Sequence, residues 1–303
     1  MATDPVIETI GLTKFYGKRT GIADLDLKVD RGEILGFLGP NGAGKTTTIR
    51  TLLDLIRPTR GAARLFGRDV RAHSVEIRRR LGYLPGELHL YEDMTGREIL
   101  AFAANLRGGV PSGSIGRYAE RLSCELDTNV RDLSHGNRQK IGLVNAFMHE
   151  PELLILDEPT LGLDPLVQSE FHRMLLEARE RGGTVFLSSH VLPEVETSCD
   201  RVAMIRAGRL LAVEHVDTLK DRVPHRLEIR FSGPVPDSAF TSLPGVRDVT
   251  VDVDTLRCSV VTTPDAVVKA AARFSVLDIV SHEPSLEEVF LSFYGERRET
   301  SAA

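Results

Sequence analysis

Long apolar runs are missing from this 303-residue chain, and nowhere do the roughly 20 consecutive apolar residues occur that a helix needs to cross a bilayer. That argues against an integral membrane protein built on helices. The chain is expected to stay in the cytosol unless something else holds it at a membrane. Cysteine is scarce: Cys124, Cys199 and Cys258 stand apart with no C-x-x-C spacing, which argues against a disulfide framework or a zinc site. All three read as small packing residues. A basic excess is absent too, since 38 Lys and Arg face 43 Asp and Glu for a formal net charge of -5. No overall cationic field exists to attract phosphate backbones, so nucleic acid is not an expected partner. The first ten residues carry Asp4 and Glu8 where a secretory signal would have a basic start and an apolar core. No internal repeat or low-complexity tract is visible, and only the tail, Glu296 to Ala303, reads as disordered.

What is present is a hydrophobic fraction of 42%, enough for one large core plus a smaller appended domain. Short branched apolar runs alternate with segments of helical period, which predicts strands feeding helices in an α/β domain. Glu33 to Gly39, Leu153 to Asp157 and Thr184 to Ser188 each read as a buried parallel strand. In open α/β sheets ligands bind beyond the carboxyl ends of strands, so a site is expected at these three ends. A mainly helical insertion, about 91–150, follows the first of them. Thr95 with Glu98 makes a capping box for one helix, a second is expected after Ser134, and Asp164-Pro165 starts a third that stops near Gly182-Gly183. From about His215 the pattern changes to a β-α-β-β-α-β order, the ferredoxin-like arrangement, with a short helical piece at Asp237 to Ser242. The expected domains are therefore 1–214, 215–295 and a tail at 296–303. Arg78-Arg79-Arg80 reads as a solvated helix end, and Leu286, Val289, Phe290 and Phe293 fall on one apolar helix face.

Gly39-Pro-Asn-Gly-Ala-Gly-Lys45-Thr46 matches the P-loop pattern between a strand and a helix. Its glycines let successive N–H groups face an anion, and the helix N-terminus adds partial positive charge. The candidate nucleotide contacts are Gly39, Asn41, Gly42, Gly44, Lys45, Thr46 and Thr47, with Lys45 reaching the β- and γ-phosphates and Thr46 offering a hydroxyl to Mg²⁺. The strand ending in Asp157-Glu158 brings two carboxylates to the same sheet edge: Asp157 as a candidate Mg²⁺ ligand through water, Glu158 as the candidate that polarises the attacking water.

The chain resembles the ATP-binding subunits of ABC transporters over roughly Ile7 to Val213. The most specific element is Leu133-Ser-His-Gly-Asn-Arg-Gln139, similar to the family signature LSGGQ. By that resemblance Ser134 and Gly136 contact the γ-phosphate bound to an opposing subunit, Asp164 lies in the loop linking two active sites, and His190 contacts the γ-phosphate as a catalytic switch. Tyr16 resembles the aromatic that stacks on adenine, with packing as the competing role and Phe15 as the alternative stacker. The family's glutamine after the Tyr-Leu-Pro strand is replaced by Gly86, so either Glu87 moves into that role or the sensor is absent. Glu283 to Leu291 resembles the ending of ABC-2 type antibiotic and drug exporter ATPases.

The resemblance implies an α/β P-loop ATPase using ATP and Mg²⁺, working as a homodimer or with a paired ATPase subunit. It implies an integral membrane permease as partner, gripped near Glu87 to Thr95, and a peripheral place on the cytoplasmic face of the cell membrane. Export of a drug, antibiotic or lipid-like compound is expected, with import as the alternative. A ribosome- or DNA-associated ATPase is disfavoured by the single ATPase domain and the lack of a long coiled-coil insertion. A P-loop phosphotransferase is disfavoured by the signature.

Overall fold

In the computed structural model, Ile34–Leu38, Leu153–Asp157 and Thr184–Ser189 are strands in which every residue is buried. The model describes residues 4–220, 224–261, 263–282 and 285–290. Removing one such Leu, Ile or Phe side chain from water contributes about 1.5–3 kcal/mol, which explains why runs apolar on both faces take the sheet centre. The chain divides into two compact units, Met1–Glu214 and His215–Ala303.

The first unit holds two sheets. The larger has six strands in the spatial order Arg209–His215, Arg201–Arg206, Ile34–Leu38, Thr184–Ser189, Leu153–Asp157 and Leu81–Leu84. Its register pairs Phe37 with Ser188 and Ser188 with Asp157, so three carboxyl ends align along one edge. The smaller sheet orders Arg19–Val29, Ile7–Tyr16, Arg60–Leu65 and Arg68–Asp69 as an antiparallel set. One buried cluster joins the sheets, running from Leu12, Ile22 and Leu27 to Leu35, Phe37 and Phe186, with the rings of Phe37 and Phe186 centred 5.1 Å apart.

Helix starts follow the caps. Thr95 and Glu98 exchange side-chain and backbone hydrogen bonds as a full capping box on Gly96–Leu106. Ser134 accepts from the Asn137 N–H to open His135–Phe147, and Asp164 accepts from Leu166 and Val167 to open Pro165–Glu180. A further helix, Ser114–Arg121, lies between the first two. The arginine run at 78–80 departs from the solvated end expected of it only at Arg80. Arg78 and Arg79 are exposed, with Arg78 donating to the Leu53 carbonyl, but Arg80 is half-buried, makes a two-pronged pair with Glu152 and lies 3.8 Å over the Phe66 ring. A carboxylate and an aromatic face within reach hold a guanidinium group that a composition reading assigns to water.

The second unit is one antiparallel sheet in the order Val246–Asp252, Thr255–Val260, His225–Phe231 and Val276–His282. This is the ferredoxin-like arrangement, with Asp265–Ala271 as its second helix. Its first helix is reduced to a 3₁₀ turn, Asp237–Ala239. Strand alternation sends Leu227, Ile229, Phe231, Leu256, Cys258 and Val260 into a core with Phe240 and Phe274, and leaves Arg226 and Arg257 exposed. Residues 286–290 are helical, with Leu286 and Val289 buried. Phe293 and the tail 296–303 lie outside the described residues. Cys199 and Cys258 are buried and Cys124 is half-buried. Burial pushes the Cys124 thiol up to about 12, which leaves it an inert thiol at neutral pH. Among the described residues no helix is long and apolar enough to cross a membrane.

Candidate functional site

The loop after Leu38 turns into the helix Lys45–Leu52 through two glycines in the left-handed region, Gly42 at φ 77° and Gly44 at φ 114°. Glycine is required at Gly44 on a second ground, because a Cβ there would lie 2.7 Å from the Gly21 carbonyl oxygen. The tight wrap leaves a cleft of about 550 Å³ lined by Asn41, Gly42, Gly44, Lys45, Thr46 and Thr47, with Tyr16 and Glu158 on its walls. That volume falls in the range of small-molecule sites. Gly39 is packed behind it, where a Cβ would lie 2.4 Å from the Ile205 carbonyl oxygen.

Lys45 is only 6% exposed. Its ammonium donates to the Gly39 carbonyl at 2.6 Å and lies 3.2 Å from Glu158 Oε1. The other Glu158 oxygen is 2.7 Å from His190 Nδ1. One carboxylate thus bridges a cation from the first strand end and an imidazole from the third. Glu158 holds this position with φ 51°, a left-handed conformation that costs a non-glycine residue about 1 kcal/mol or more. Its N–H donates to the Ser188 carbonyl at 3.0 Å, which ties the strained residue to the neighbouring strand.

Asp157, 1% exposed, is held by two hydroxyls: Thr46 donates to Oδ2 at 2.8 Å and Ser188 donates to Oδ1. A buried carboxylate needs such donors. Tyr83 stands close by, and burial first, then the negative Asp157, pushes its phenol up to about 12. Among the described residues no cluster of three or more His, Cys, Asp or Glu side chains could hold a metal ion by itself. Thr46 with Asp157 is a pair of hard oxygen donors. Such a pair suits Mg²⁺, which takes one or two protein ligands and fills its remaining positions with water and phosphate.

Three further placements bear on the expectations. Tyr16 lines the cleft and Phe15 does not, and the Tyr16 ring is 47% exposed with Lys14 Nζ 5.2 Å from its centre. A side chain at position 86 would start 3.3 Å from Asp157 Oδ2, so Gly86 leaves that approach open, while Glu87 is exposed. Ser134, exposed, and Gly136, half-buried, lie outside the cleft at the start of their own helix. The sequence reading missed Arg19 and Arg50, which also line the cleft, and Ser188, which holds Asp157. Arg50 was findable: it lies five residues after Lys45 on the same helix. Arg19 was findable through its hairpin pairing with Tyr16.

The ABC transporter family model matches residues 22–161. The chain is 42% identical to the bacitracin transport ATP-binding protein BcrA of Bacillus licheniformis over 230 residues, 75% of each chain. It is 35% identical to the daunorubicin resistance ATP-binding protein DrrA3 of Streptomyces coeruleorubidus over 317 residues, covering 99% of each. Among solved structures, an ATP-binding subunit of an ABC transporter superposes with a TM-score of 0.66 at 32% identity, covering 71% of this chain and 92% of the other. The dimeric structure of a bacterial ABC transporter cassette gives a TM-score of 0.64 at 21% identity, over 69% and 98%, a likeness of fold alone.

Proposed function

The chain belongs to the ABC transporter family of ATP-binding proteins, and on that premise we propose that it hydrolyses MgATP between two ATPase subunits to drive a separate membrane permease. The cargo is a drug, antibiotic or lipid-like compound moving outward, a reading supported by relatives named for bacitracin transport and daunorubicin resistance. The working location is the cytoplasmic face of the membrane, held by the permease.

The single observation that carries the reading is the convergence of Lys45, Glu158 and His190 beside the Thr46–Asp157 pair at three aligned strand ends. Bound ATP offers its phosphates to the loop N–H groups, and the Lys45 ammonium exchanges Glu158 for β- and γ-phosphate oxygens. Thr46 and Asp157 would hold a magnesium ion, which would supply further neutralisation of charge on the transferred phosphoryl group. Freed from Lys45 and steered by His190, the Glu158 carboxylate takes a hydrogen bond from water and aims its oxygen at the γ-phosphorus. The new P–O bond forms as the bond to the β–γ bridging oxygen breaks, leaving ADP and phosphate. Tyr16 stacks on adenine.

Ser134 and Gly136 are the second phosphate-binding surface. They lie outside their own chain's cleft, so they serve the nucleotide of a partner subunit placed head to tail. ATP then binds the closed pair far better than the open one, and its hydrolysis reopens the pair. Glu158→Gln tests this: light scattering should find an ATP-dependent dimer while turnover falls by about a hundredfold or more. Wild-type turnover in that variant would end the assignment of Glu158.

A further inference from the structure

Gln139 is the last residue of the signature stretch and stands one turn inside the helix that Ser134 opens. It is 3% exposed, an unusual burial for a long polar side chain. Its amide nitrogen donates to the Pro159 carbonyl at 3.1 Å and lies 3.4 Å from the Glu158 carbonyl. These are the two peptide oxygens that follow the left-handed Glu158. Pro159 has no N–H, so the turn is held on this side only through its carbonyls. Leu161 N–H supplies a second donor to the Glu158 carbonyl at 3.3 Å.

The same two segments meet again further along. A Cβ on Gly136 would lie 2.6 Å from the Gly162 carbonyl oxygen, and a Cβ on Gly162 would lie 2.6 Å from His135 Cδ2. The first turn of the signature helix is therefore in close contact with the loop after Glu158, and Gln139 is the hydrogen-bonded member of that contact.

Resting on the reading of Glu158 given above, we propose that Gln139 is a positioning residue for hydrolysis: its amide fixes the strained turn that aims the Glu158 carboxylate. Buried and bonded to backbone carbonyls, it acts through the turn. Removing its donor lets the Glu158–Pro159 turn relax, and the carboxylate loses its aim while the cleft keeps its grip on the phosphates. The expected signature is a fall in kcat with KM unchanged.

The test uses the full chain and steady-state ATP hydrolysis with two substitutions. Gln139→Leu keeps the bulk and removes the donor, and kcat should fall roughly tenfold with KM for MgATP within about twofold. Gln139→Glu faces the same carbonyls, where burial favours its protonated form, whose O–H can donate. Its kcat relative to wild type should climb as pH falls from about 8 to about 6, a recovery that Gln139→Leu must not show. A wild-type kcat in Gln139→Leu, a raised KM at unchanged kcat, or a Gln139→Glu variant as slow at low pH as Gln139→Leu would each overturn the proposal. Should Gln139→Leu fail to fold, the pH recovery of Gln139→Glu decides alone. Glu158→Gln, assayed in parallel, separates the two levels. If it is inactive while Gln139→Leu is fully active, only the positioning role fails; if it is active, the reading of Glu158 fails first.

Discussion

The two units of this chain treat polarity in opposite ways. In the first, polar and charged side chains are driven into the interior at strand ends and on the helices beside them: Asp157, Ser188 and Ser189 on strands and Lys45 and Gln139 on helices are all buried. In the second, the buried set is apolar, and among the described residues every buried polar or charged side chain belongs to the first unit. Charges of the second unit pair outside its core instead, as Arg257 does with Glu228 across the sheet and Arg226 with Glu288 of the last described helical turn. Burying a polar group costs stability unless it finds partners, so a unit that buries many is organised around chemistry. A unit whose buried side chains, among the described residues, are apolar ones and the Cys258 thiol is organised around packing.

Substitutions that separate activity from stability put this contrast at risk. The largest effect is expected from Lys45→Ala. Nucleotide binding should weaken and hydrolysis fall by about a hundredfold or more, while the thermal midpoint holds, because the residue neutralises phosphate rather than filling core. Calorimetric nucleotide titration beside a melting curve reads both. Phe231→Ala is the mirror case. It empties the centre of the ring cluster with Phe240 and Phe274, whose centroids lie 6.0 and 5.9 Å away. A loss of about 3–5 kcal/mol is expected in denaturant unfolding, with nucleotide affinity in the first unit retained. If Phe231→Ala abolished nucleotide binding, the division of labour would be wrong.

A smaller effect concerns pH. His149 donates from Nε2 to the Leu81 carbonyl at 3.0 Å, and its Nδ1 is buried with no partner among the described residues. Burial first, then the nearby Arg107 charge, brings the imidazole down to about 4. The folded chain therefore keeps His149 neutral where the unfolded chain protonates it, at about 6.5. Its contribution is complete above about pH 6.5 and is lost as pH falls towards about 4. In His149→Gln the stability of the first unit, followed by urea unfolding at several pH values, should fall less steeply across that window. An unchanged slope would remove His149 from the account.

Sequence pattern alone located the strands whose ends form the cleft, because residues apolar on both faces have few places other than a sheet centre. It also located the helix starts, because Thr95, Ser134 and Asp164 are the short polar residues that satisfy orphan N–H groups. What it could not give depends on three-dimensional neighbours. The φ of Glu158 follows from its tie to Ser188, a residue 30 positions away. The partners of Arg80 come from two other segments. Gln139 resembles any other helical glutamine until Pro159 is seen opposite it. In the sequence Gly86 is a missing side chain; its closeness to Asp157 appears only in the folded chain.

The sharpest test of the two-surface account is ATP hydrolysis per chain as a function of chain concentration. With Ser134 and Lys45 on separate surfaces, the specific rate should rise with concentration as pairs form. A specific rate that stays constant down to concentrations where only monomers exist would contradict it.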